Sequence, residues 1–188
     1  MSKQRIAVIA GDGIGKEVIP AGLAAIEAAT RNSSITINFT ELPWGCDYYL
    51  SHGRMMDADG FERAATFDAI YLGAIGSPKV PDHIAVWDLL LPLRQRFQQY
   101  VNLRPMRLLP GLTSPLANRT SADIDMVCVR ENSEGEYCGL GGRIHGGTAQ
   151  ETAVQTGVFT RHAIERIARY AFQLAETRPR KILASATK

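Results

Sequence analysis

The stretch RIAVIAGDGIG, residues 5–15, decides the fold class predicted for this chain. It begins as a short apolar run and ends in a glycine loop, which is typical of a buried strand followed by a turn. Beyond Gly15, apolar side chains recur at helical spacing, at Val18, Ile19, Leu23, Ile26 and Ala29. A strand that leads through a glycine turn into a helix begins a crossover unit, so the stretch predicts an α/β fold.

The segments after this helix continue the same plan. Residues 34–40 alternate apolar and polar side chains, as strands do, and residues 69–73 form another apolar strand ending in glycine. We expect a helix between them, near residues 58–66. Strand, helix, strand, helix and strand in this order predict a parallel sheet with crossover helices. Residues 86–97 are again helical in pattern, but Pro92 predicts a kink or a late helix start there.

The second part of the chain has a different pattern. Strands are predicted at residues 101–109, 126–131 and 181–186. A long helix should begin at Thr160 and end at Arg178, which precedes Pro179. Residues 143–157 are rich in Gly, Thr and Gln, and this composition predicts an exposed hairpin or arm. We expect a boundary near residue 101, with one domain at residues 1–101 and another at residues 102–188.

Composition excludes several classes of protein. The 188 residues include 21 basic and 19 acidic side chains, so the charge balance gives no reason to expect nucleic acid or an anionic membrane as a partner. No apolar run approaches the roughly 20 residues that span a bilayer, and the run at residues 6–10 is too short for a signal-peptide core. Cys46, Cys128 and Cys138 lack the spacing of a zinc site, which favours free thiols and a cytoplasmic location.

Two glycine loops follow predicted strands. The first loop lacks the Rossmann fingerprint because Lys16 stands where Gly or Ala is needed, and it is no P-loop because Glu17 follows Lys16. By itself it is either a tight turn or a place where a ligand approaches the backbone. A second loop, Gly73-Ala74-Ile75-Gly76-Ser77-Pro78, lies at the same end of the predicted sheet. Two such loops mark a crevice where ligands tend to bind.

Three arginines flank apolar segments, at Arg94, Arg104 and Arg130. Arginine binds carboxylates through a planar fork, so they either form a dicarboxylate site or are unrelated surface residues. The sequence RENSEGEY, residues 130–137, places three acids near Arg130 and Tyr137. These acids either bind a cation or form a solvated turn with local salt bridges. Tyr137 is a candidate general acid or a packing residue, and Lys188 a candidate base or a solvated terminal lysine.

In this order, the motifs resemble those of the isocitrate and isopropylmalate dehydrogenases, the β-decarboxylating dehydrogenase family. They are GDGIG at 11–15 with Glu17-Val18, the loop at 73–78, Leu93-Arg94, NLRP at 102–105, VREN at 129–132, EGEY at 134–137 and SATK at 185–188. Within the family the chain is most similar to members acting on tartrate and D-malate, from WGCDYY at 44–49, HGRMM at 52–56, PDHI at 81–84 and YCGLGGR at 137–143. The segment VWDLLL at 86–91 is less similar to isopropylmalate enzymes, and it lacks the donors that isocitrate enzymes carry there.

The resemblance implies roles for individual residues. Arg94, Arg104 and Arg130 would hold the substrate carboxylates, beside Leu90. Tyr137 would protonate the enol left after carbon dioxide departs, and Lys188 would help to remove the hydroxyl proton, reaching the site from the partner subunit. The nicotinamide would lie beside Gly73, Ala74, Ile75, Gly76 and Leu89. Glu131, Glu134 and Glu136 do not match the family's metal positions, which come later in its chains, so no metal ligand is assigned here.

The resemblance also implies the fold, reaction and assembly. The fold would be that of isopropylmalate dehydrogenase, with a parallel-sheet nucleotide domain, incomplete here, and a smaller α/β substrate and dimerisation domain whose arm is near residues 143–157. The reaction would be NAD- and Mg²⁺- or Mn²⁺-dependent oxidation of a small 2-hydroxy diacid by a homodimer, with or without decarboxylation. Tartrate or D-malate is the expected substrate, and 3-isopropylmalate is the alternative.

A further alternative is an inactive fragment that serves only in folding or dimerisation. The chain stops directly after a predicted strand, and its first part offers about three strands, fewer than the roughly four to six of a typical sheet. The resemblance implies that the family's metal aspartates and adenosine-binding loop come later in the chain, so we expect residues 1–188 alone to have little or no dehydrogenase activity.

Overall fold

A computed structural model describes residues 2–186 of the chain. The chain divides into two compact units, the first ending at Arg96 and the second beginning at Phe97. This division comes earlier than the predicted boundary because residues before 101 bond to the second unit. The backbone N–H of Asn132 donates to the carbonyl of Tyr100 at 2.9 Å, and Arg166 donates to the Gln98 side chain.

The first unit contains a parallel sheet of three strands, as the fold-class prediction requires. The strands are β1 (Ser2–Gly11), β2 (Ile35–Glu41) and β3 (Ala69–Ala74), in the spatial order β2-β1-β3. Ile6 of β1 is in register with residues of both neighbours, Phe39 and Ala69. Central strand β1 is buried at Ala7, Val8 and Ile9, none more than 2% exposed, because it is covered on both edges.

Helices connect these strands. α1 (Gly15–Thr30) follows the first glycine loop and packs against β3, where a Cβ on Gly73 would lie 2.9 Å from the Ile19 side chain. α3 (Gly60–Ala64) lies within the helix predicted near residues 58–66. α2 (Cys46–His52) was not predicted, since its sequence is mostly polar and short.

The segment before the first unit's end is helical but irregular. α4 (Asp82–Ala85) is followed by a π-helical turn at Val86–Leu90 and then by α5 (Leu91–Arg96). Pro92 lacks a backbone N–H, and its ring would clash with the carbonyl four residues before it in a regular α-helix. A wider turn in front of Pro92 relieves this clash, so the helix changes its geometry there.

The second unit contains two antiparallel pairs and one long helix. β4 (Val101–Arg107) pairs with β5 (Asp125–Glu131), and β6 (Gly135–Ile144) pairs with β7 (Thr152–Val158). The hairpin β6–β7 contains the predicted arm but begins earlier, at Gly135. α6 (Arg161–Thr177) is capped by the Thr160 hydroxyl, which accepts from the Ala163 N–H at 3.1 Å.

The strand predicted at residues 181–186 is wrong. These residues form neither helix nor strand, and Ile182 and Leu183 are 72% and 42% exposed. A strand needs a neighbour for its backbone groups, and no strand within residues 2–186 pairs with this segment. In the same part of the chain, no helix is long and apolar enough to cross a membrane.

Candidate active site

The two glycine loops of the first unit lie against each other. The backbone N–H of Asp12, in the first loop, donates to the carbonyl of Ala74, in the second loop, at 2.6 Å. Gly11 has a φ of +70°, and a Cβ there would lie 2.1 Å from the same carbonyl. Only glycine allows this approach. The two loops therefore meet through main-chain contact at the carboxyl ends of β1 and β3.

The Asp12 side chain joins these loops to a third segment. Its carboxylate is 4% exposed and accepts from the backbone N–H of Cys46 at 2.9 and 3.1 Å and from that of Gly76 at 3.0 Å. Burial, aided by the hydrogen bond to Asp12, raises the pKa of the Cys46 thiol to about 11. The thiol therefore stays protonated at neutral pH and acts as a structural donor rather than a nucleophile.

The other predicted residues of the first unit lie in the loop at residues 73–78, in the π-helical turn and in α5. Leu89 is completely buried, whereas Leu90 and Arg94 are half-buried. Of the two leucines, Leu90 keeps surface that a ligand can contact. Gly76 is exposed, has a φ of +146°, and has no atom within 4 Å of the position of a Cβ. The backbone at Gly76 is thus open to a ligand.

Two predicted arginines of the second unit share one face of a strand pair. Asn102 is in register with Arg130, and Arg104 with Cys128, so alternation places Arg104 and Arg130 on the same face of β4 and β5. The Arg104 Nε donates to the Asn102 side-chain oxygen at 3.2 Å, and Asn102 in turn donates to Asn132 at 3.4 Å. Among residues 2–186, no ion pair neutralises either guanidinium. This face therefore presents two positive charges side by side.

Tyr137 lies next to this face. The guanidinium carbon of Arg130 is 4.9 Å from the centre of the Tyr137 ring, and the tyrosine is half-buried. The structure thus brings Arg104, Arg130 and Tyr137 together within the second unit. Arg94, Leu90 and the loop at residues 73–78 belong to the first unit. Lys188 lies outside the described residues.

Two acids of the RENSEGEY segment, Glu131 and Glu134, accept several hydrogen bonds. The Glu131 carboxylate accepts from the Ser133 N–H at 2.9 Å, the Ser133 hydroxyl at 2.5 Å and the Glu134 N–H at 2.8 Å, and it lies 3.5 Å from the Arg166 guanidinium. Burial opposes the charged form, but these hydrogen bonds and Arg166 together lower the pKa of Glu131 below its usual value. Glu134 accepts from the N–H and hydroxyl of Thr160, both at 2.7 Å, and so fixes the start of α6.

Glu131 therefore forms a turn with local bonds, as one of the two interpretations of the segment predicted, whereas Glu134 bonds to Thr160, 26 residues away. No group of three or more His, Cys, Asp or Glu side chains within residues 2–186 is arranged to hold a metal ion.

Sequence reasoning missed three residues that organise these sites. Asp12 joins three loops, Asn132 is 4% exposed and holds Asn102, and Arg166 contacts Glu131 and stacks on Tyr100 at 4.5 Å. Their partners are far away in sequence, so no local pattern revealed them. The only available signal was the presence of polar residues inside apolar or glycine-rich motifs.

Comparison with known proteins adds an independent finding. A family model described as isocitrate/isopropylmalate dehydrogenase matches residues 5–188. The D-malate dehydrogenase (decarboxylating) of Escherichia coli K12 is 53% identical over 190 residues, covering 100% of this chain and 53% of the relative. A probable tartrate dehydrogenase/decarboxylase of Agrobacterium vitis is 52% identical over 189 residues, covering 100% of this chain and 53% of that relative. The chain spans about half the length of the curated relatives it matches.

Solved structures agree on the fold. The crystal structure of isocitrate dehydrogenase from Methylococcus capsulatus matches with a TM-score of 0.72 and 26% identity, covering 94% of this chain and 48% of that chain. A beta-decarboxylating dehydrogenase from Thermococcus kodakarensis matches with a TM-score of 0.61 and 32% identity. The match covers 92% of this chain and 46% of that chain. The predicted fold class is thereby confirmed.

Proposed function

Because the chain belongs to the isocitrate/isopropylmalate dehydrogenase family, we propose that the protein oxidises a small 2-hydroxy diacid, D-malate or tartrate, with loss of a carboxylate as carbon dioxide. The family membership confirms the resemblance seen in the motifs. The observation that carries the proposal is the pair of guanidinium groups on one face of β4 and β5, beside Tyr137. The names of the relatives that match the whole chain support the choice of substrates.

Substrate binding rests on Arg104 and Arg130. A dicarboxylate brings two negative charges, and this face offers two forks with no carboxylate partner among the described residues. Each fork can hold a carboxylate through two parallel charge-assisted bonds. Asn102 fixes the orientation of Arg104, so its fork is held before substrate arrives. Arg94, in the first unit, is proposed as a third ligand of the substrate.

Proton transfer rests on Tyr137. After the carboxylate leaves, the substrate's enol carbon must gain a proton, and a phenol within reach can donate it. The positive charge of Arg130 over the ring stabilises the phenolate that remains. Lys188 is proposed to help remove the substrate's hydroxyl proton.

The cofactors of this proposal are NAD and Mg²⁺ or Mn²⁺. NAD accepts the hydride when it is bound, and the open backbone at Gly76 fits a nicotinamide neighbour, whereas Leu89, predicted beside it, is completely buried and offers no surface. The described residues do not form a ligand set for the cation, so none of the steps above is assigned to it. The ligands of the cation would lie in the part of the relatives that this chain does not match, since the chain covers about half of their length.

We also propose a homodimer in the cytoplasm. The hairpin β6–β7 exposes Leu140, Ile144 and Val154, which are 53%, 61% and 60% accessible and share one face by register. Such a face is usually buried against another surface. The free thiols Cys46, Cys128 and Cys138 support a reducing compartment.

A substrate panel tests the proposed function. NADH formation by the full-length protein is followed with D-malate, both tartrate isomers, 3-isopropylmalate and isocitrate, each with Mn²⁺. We expect turnover with D-malate or a tartrate. Turnover only with isopropylmalate would change the substrate assignment, and the absence of NADH with every acid would refute the dehydrogenase itself.

A further inference from the structure

The Asp12 carboxylate is surrounded by donors from distant parts of the chain. It is 4% exposed, and its oxygens accept from the main-chain N–H groups of Cys46 and Gly76 at 2.9–3.1 Å. These partners lie 34 and 64 residues away in sequence. One side chain therefore links the first glycine loop, the start of α2 and the second glycine loop.

We propose that Asp12 is a positioning residue for the nicotinamide cofactor, because it fixes the main chain of the loop at residues 73–78 in the conformation that receives the cofactor. This inference rests on the proposed function, which puts that loop beside the nicotinamide. Asp12 itself touches neither substrate nor cofactor in this account.

The geometry explains why a carboxylate is needed at this position. The bonds from the Cys46 and Gly76 N–H groups restrain the backbone rather than a side-chain rotamer. One carboxylate oxygen accepts from both Cys46 and Gly76, and the other oxygen accepts from Cys46 as well. In an isosteric amide, either orientation places the NH₂ group against the Cys46 N–H, so two donors face each other there. Asn at position 12 therefore cannot keep all of these bonds, and the link between the two loops is weakened. The close packing leaves little room for adjustment, since a Cβ on Gly45 would lie 3.0 Å from an Asp12 oxygen.

The buried bonds to Asp12 are more important than a neighbouring exposed contact. Lys16 also joins the first loop to α2, with its Nζ 2.5 Å from an Asp47 oxygen, but both side chains are more than half exposed. Exposed pairs contribute little and are screened by salt. Charge-assisted bonds to backbone amides inside the fold keep their strength. The position of Gly76 therefore depends on Asp12 more than on the Lys16–Asp47 pair.

Asp57 provides a matched control in the same unit. Its carboxylate also accepts several bonds, from the Trp44 indole at 3.1 Å, the Tyr48 hydroxyl at 2.5 Å and Arg63. None of these three partners belongs to either glycine loop. If Asp12 only stabilises the fold, Asp12→Asn and Asp57→Asn should act alike on cofactor binding.

The experiment compares both variants with the unaltered full-length protein. NADH is titrated into each protein and its fluorescence gives the Kd, while steady-state assays give KM for NAD and for D-malate. Thermal unfolding measures the loss of stability. We expect Asp12→Asn to raise the Kd for NADH and the KM for NAD about tenfold or more. The KM for D-malate should stay within about twofold, and Asp57→Asn should leave all three constants near those of the unaltered protein.

Two results would overturn the inference. One is equal NADH affinity in Asp12→Asn and the unaltered protein, and the other is an equal loss of affinity in both variants at equal Tm. Failure of the proposed function gives a different pattern. In that case the unaltered protein oxidises no 2-hydroxy diacid, but the NADH titration still tests the role of Asp12. If the unaltered protein binds no NADH, the inference is overturned as well.

Discussion

The guanidinium carbon of Arg130 lies 4.9 Å from the centre of the Tyr137 ring, so a residue proposed to bind substrate also contacts the residue proposed to donate a proton. A cation over the ring is attracted to its electron-rich face and favours the charged phenolate. If the proposed roles hold, substrate binding and proton transfer meet at this one contact. Substitutions on either side of it should separate the two roles.

Replacing Tyr137 with Phe removes the hydroxyl and keeps the ring under Arg130. Because the proposed role is proton donation, kcat for carbon dioxide release should fall about 10²- to 10⁴-fold, with little change in KM for D-malate. Stopped-flow measurement of carbon dioxide against NADH gives both steps separately. Tyr170→Phe, at a half-buried tyrosine of α6, is the control and should keep full activity. Normal carbon dioxide release by Tyr137→Phe would assign the proton to another group.

Replacing Arg104 with Lys keeps the charge and removes the fork. An ammonium cannot reproduce two parallel bonds to a carboxylate, and a bond to a charged group contributes about 1.5–3 kcal/mol. The KM for the diacid should therefore rise roughly ten- to a hundredfold, with KM for NAD unchanged. Arg107→Lys is the control, since Arg107 lies on the other face of β4 beside Asp125, 3.4 Å away. Equal effects of the two substitutions would remove Arg104 from the substrate site.

Glu131 should make the second unit sensitive to acid. Burial alone would raise the pKa of this carboxyl, but the bonds from Ser133 and Glu134 and the charge of Arg166 lower it below the usual value. A pKa lower in the folded than in the unfolded state means that the stabilisation is fully present above about pH 4.5. It is lost as the pH falls through the folded-state pKa.

Denaturant unfolding between about pH 6 and pH 3 measures this effect. The free energy of unfolding should decrease on acidification, and Glu131→Gln should make that decrease smaller. Glu165→Gln removes an exposed carboxylate paired with Arg161 and controls for the loss of one negative charge. An unchanged pH dependence in Glu131→Gln would show that the bonds of Glu131 do not carry this stability.

The proposed dimer contact of the β6–β7 hairpin can be tested by placing a charge on the hairpin's apolar face. Val154→Glu places a carboxylate on the exposed face shared with Leu140 and Ile144, so it should shift the protein from dimer to monomer in light scattering. Gln155→Glu places the same charge on the opposite face of β7 and should leave the dimer intact. If both variants remain dimeric, the subunits associate through another surface.

Local patterns sufficed to predict much of the first unit. Three elements are predicted from short segments of sequence alone: the apolar run before Gly11, the helical spacing after Gly15 and the apolar strand at residues 69–73. Because strands and helices alternate along the chain, the strands are predicted to be parallel. The motif residues Arg104, Arg130 and Tyr137 were singled out from sequence, and the structure places Arg130 on the same strand face as Arg104 and against Tyr137. Their roles in a site stay predictions.

Long-range partners could not be predicted. Asp12 stands in a glycine loop, and nothing near it in sequence indicates that its acceptors serve Cys46 and Gly76. The error at residues 181–186 has the same origin, because an apolar run becomes a strand only where another strand pairs with it. The early start of the hairpin at Gly135 depends on its pairing with Val158.

We propose that the protein oxidises and decarboxylates a 2-hydroxy diacid, and that the metal ligands lie in the part of its relatives that residues 1–188 do not match. The most direct measurement follows NADH and carbon dioxide from D-malate, NAD and Mn²⁺, for the full-length protein and for residues 1–188 alone, with Mn²⁺ binding measured by calorimetry. We expect equal amounts of NADH and carbon dioxide from the full-length protein. Residues 1–188 alone should show little turnover and no tight Mn²⁺ binding. No NADH from the full-length protein with D-malate or tartrate, or tight Mn²⁺ binding and comparable turnover by residues 1–188, would contradict it.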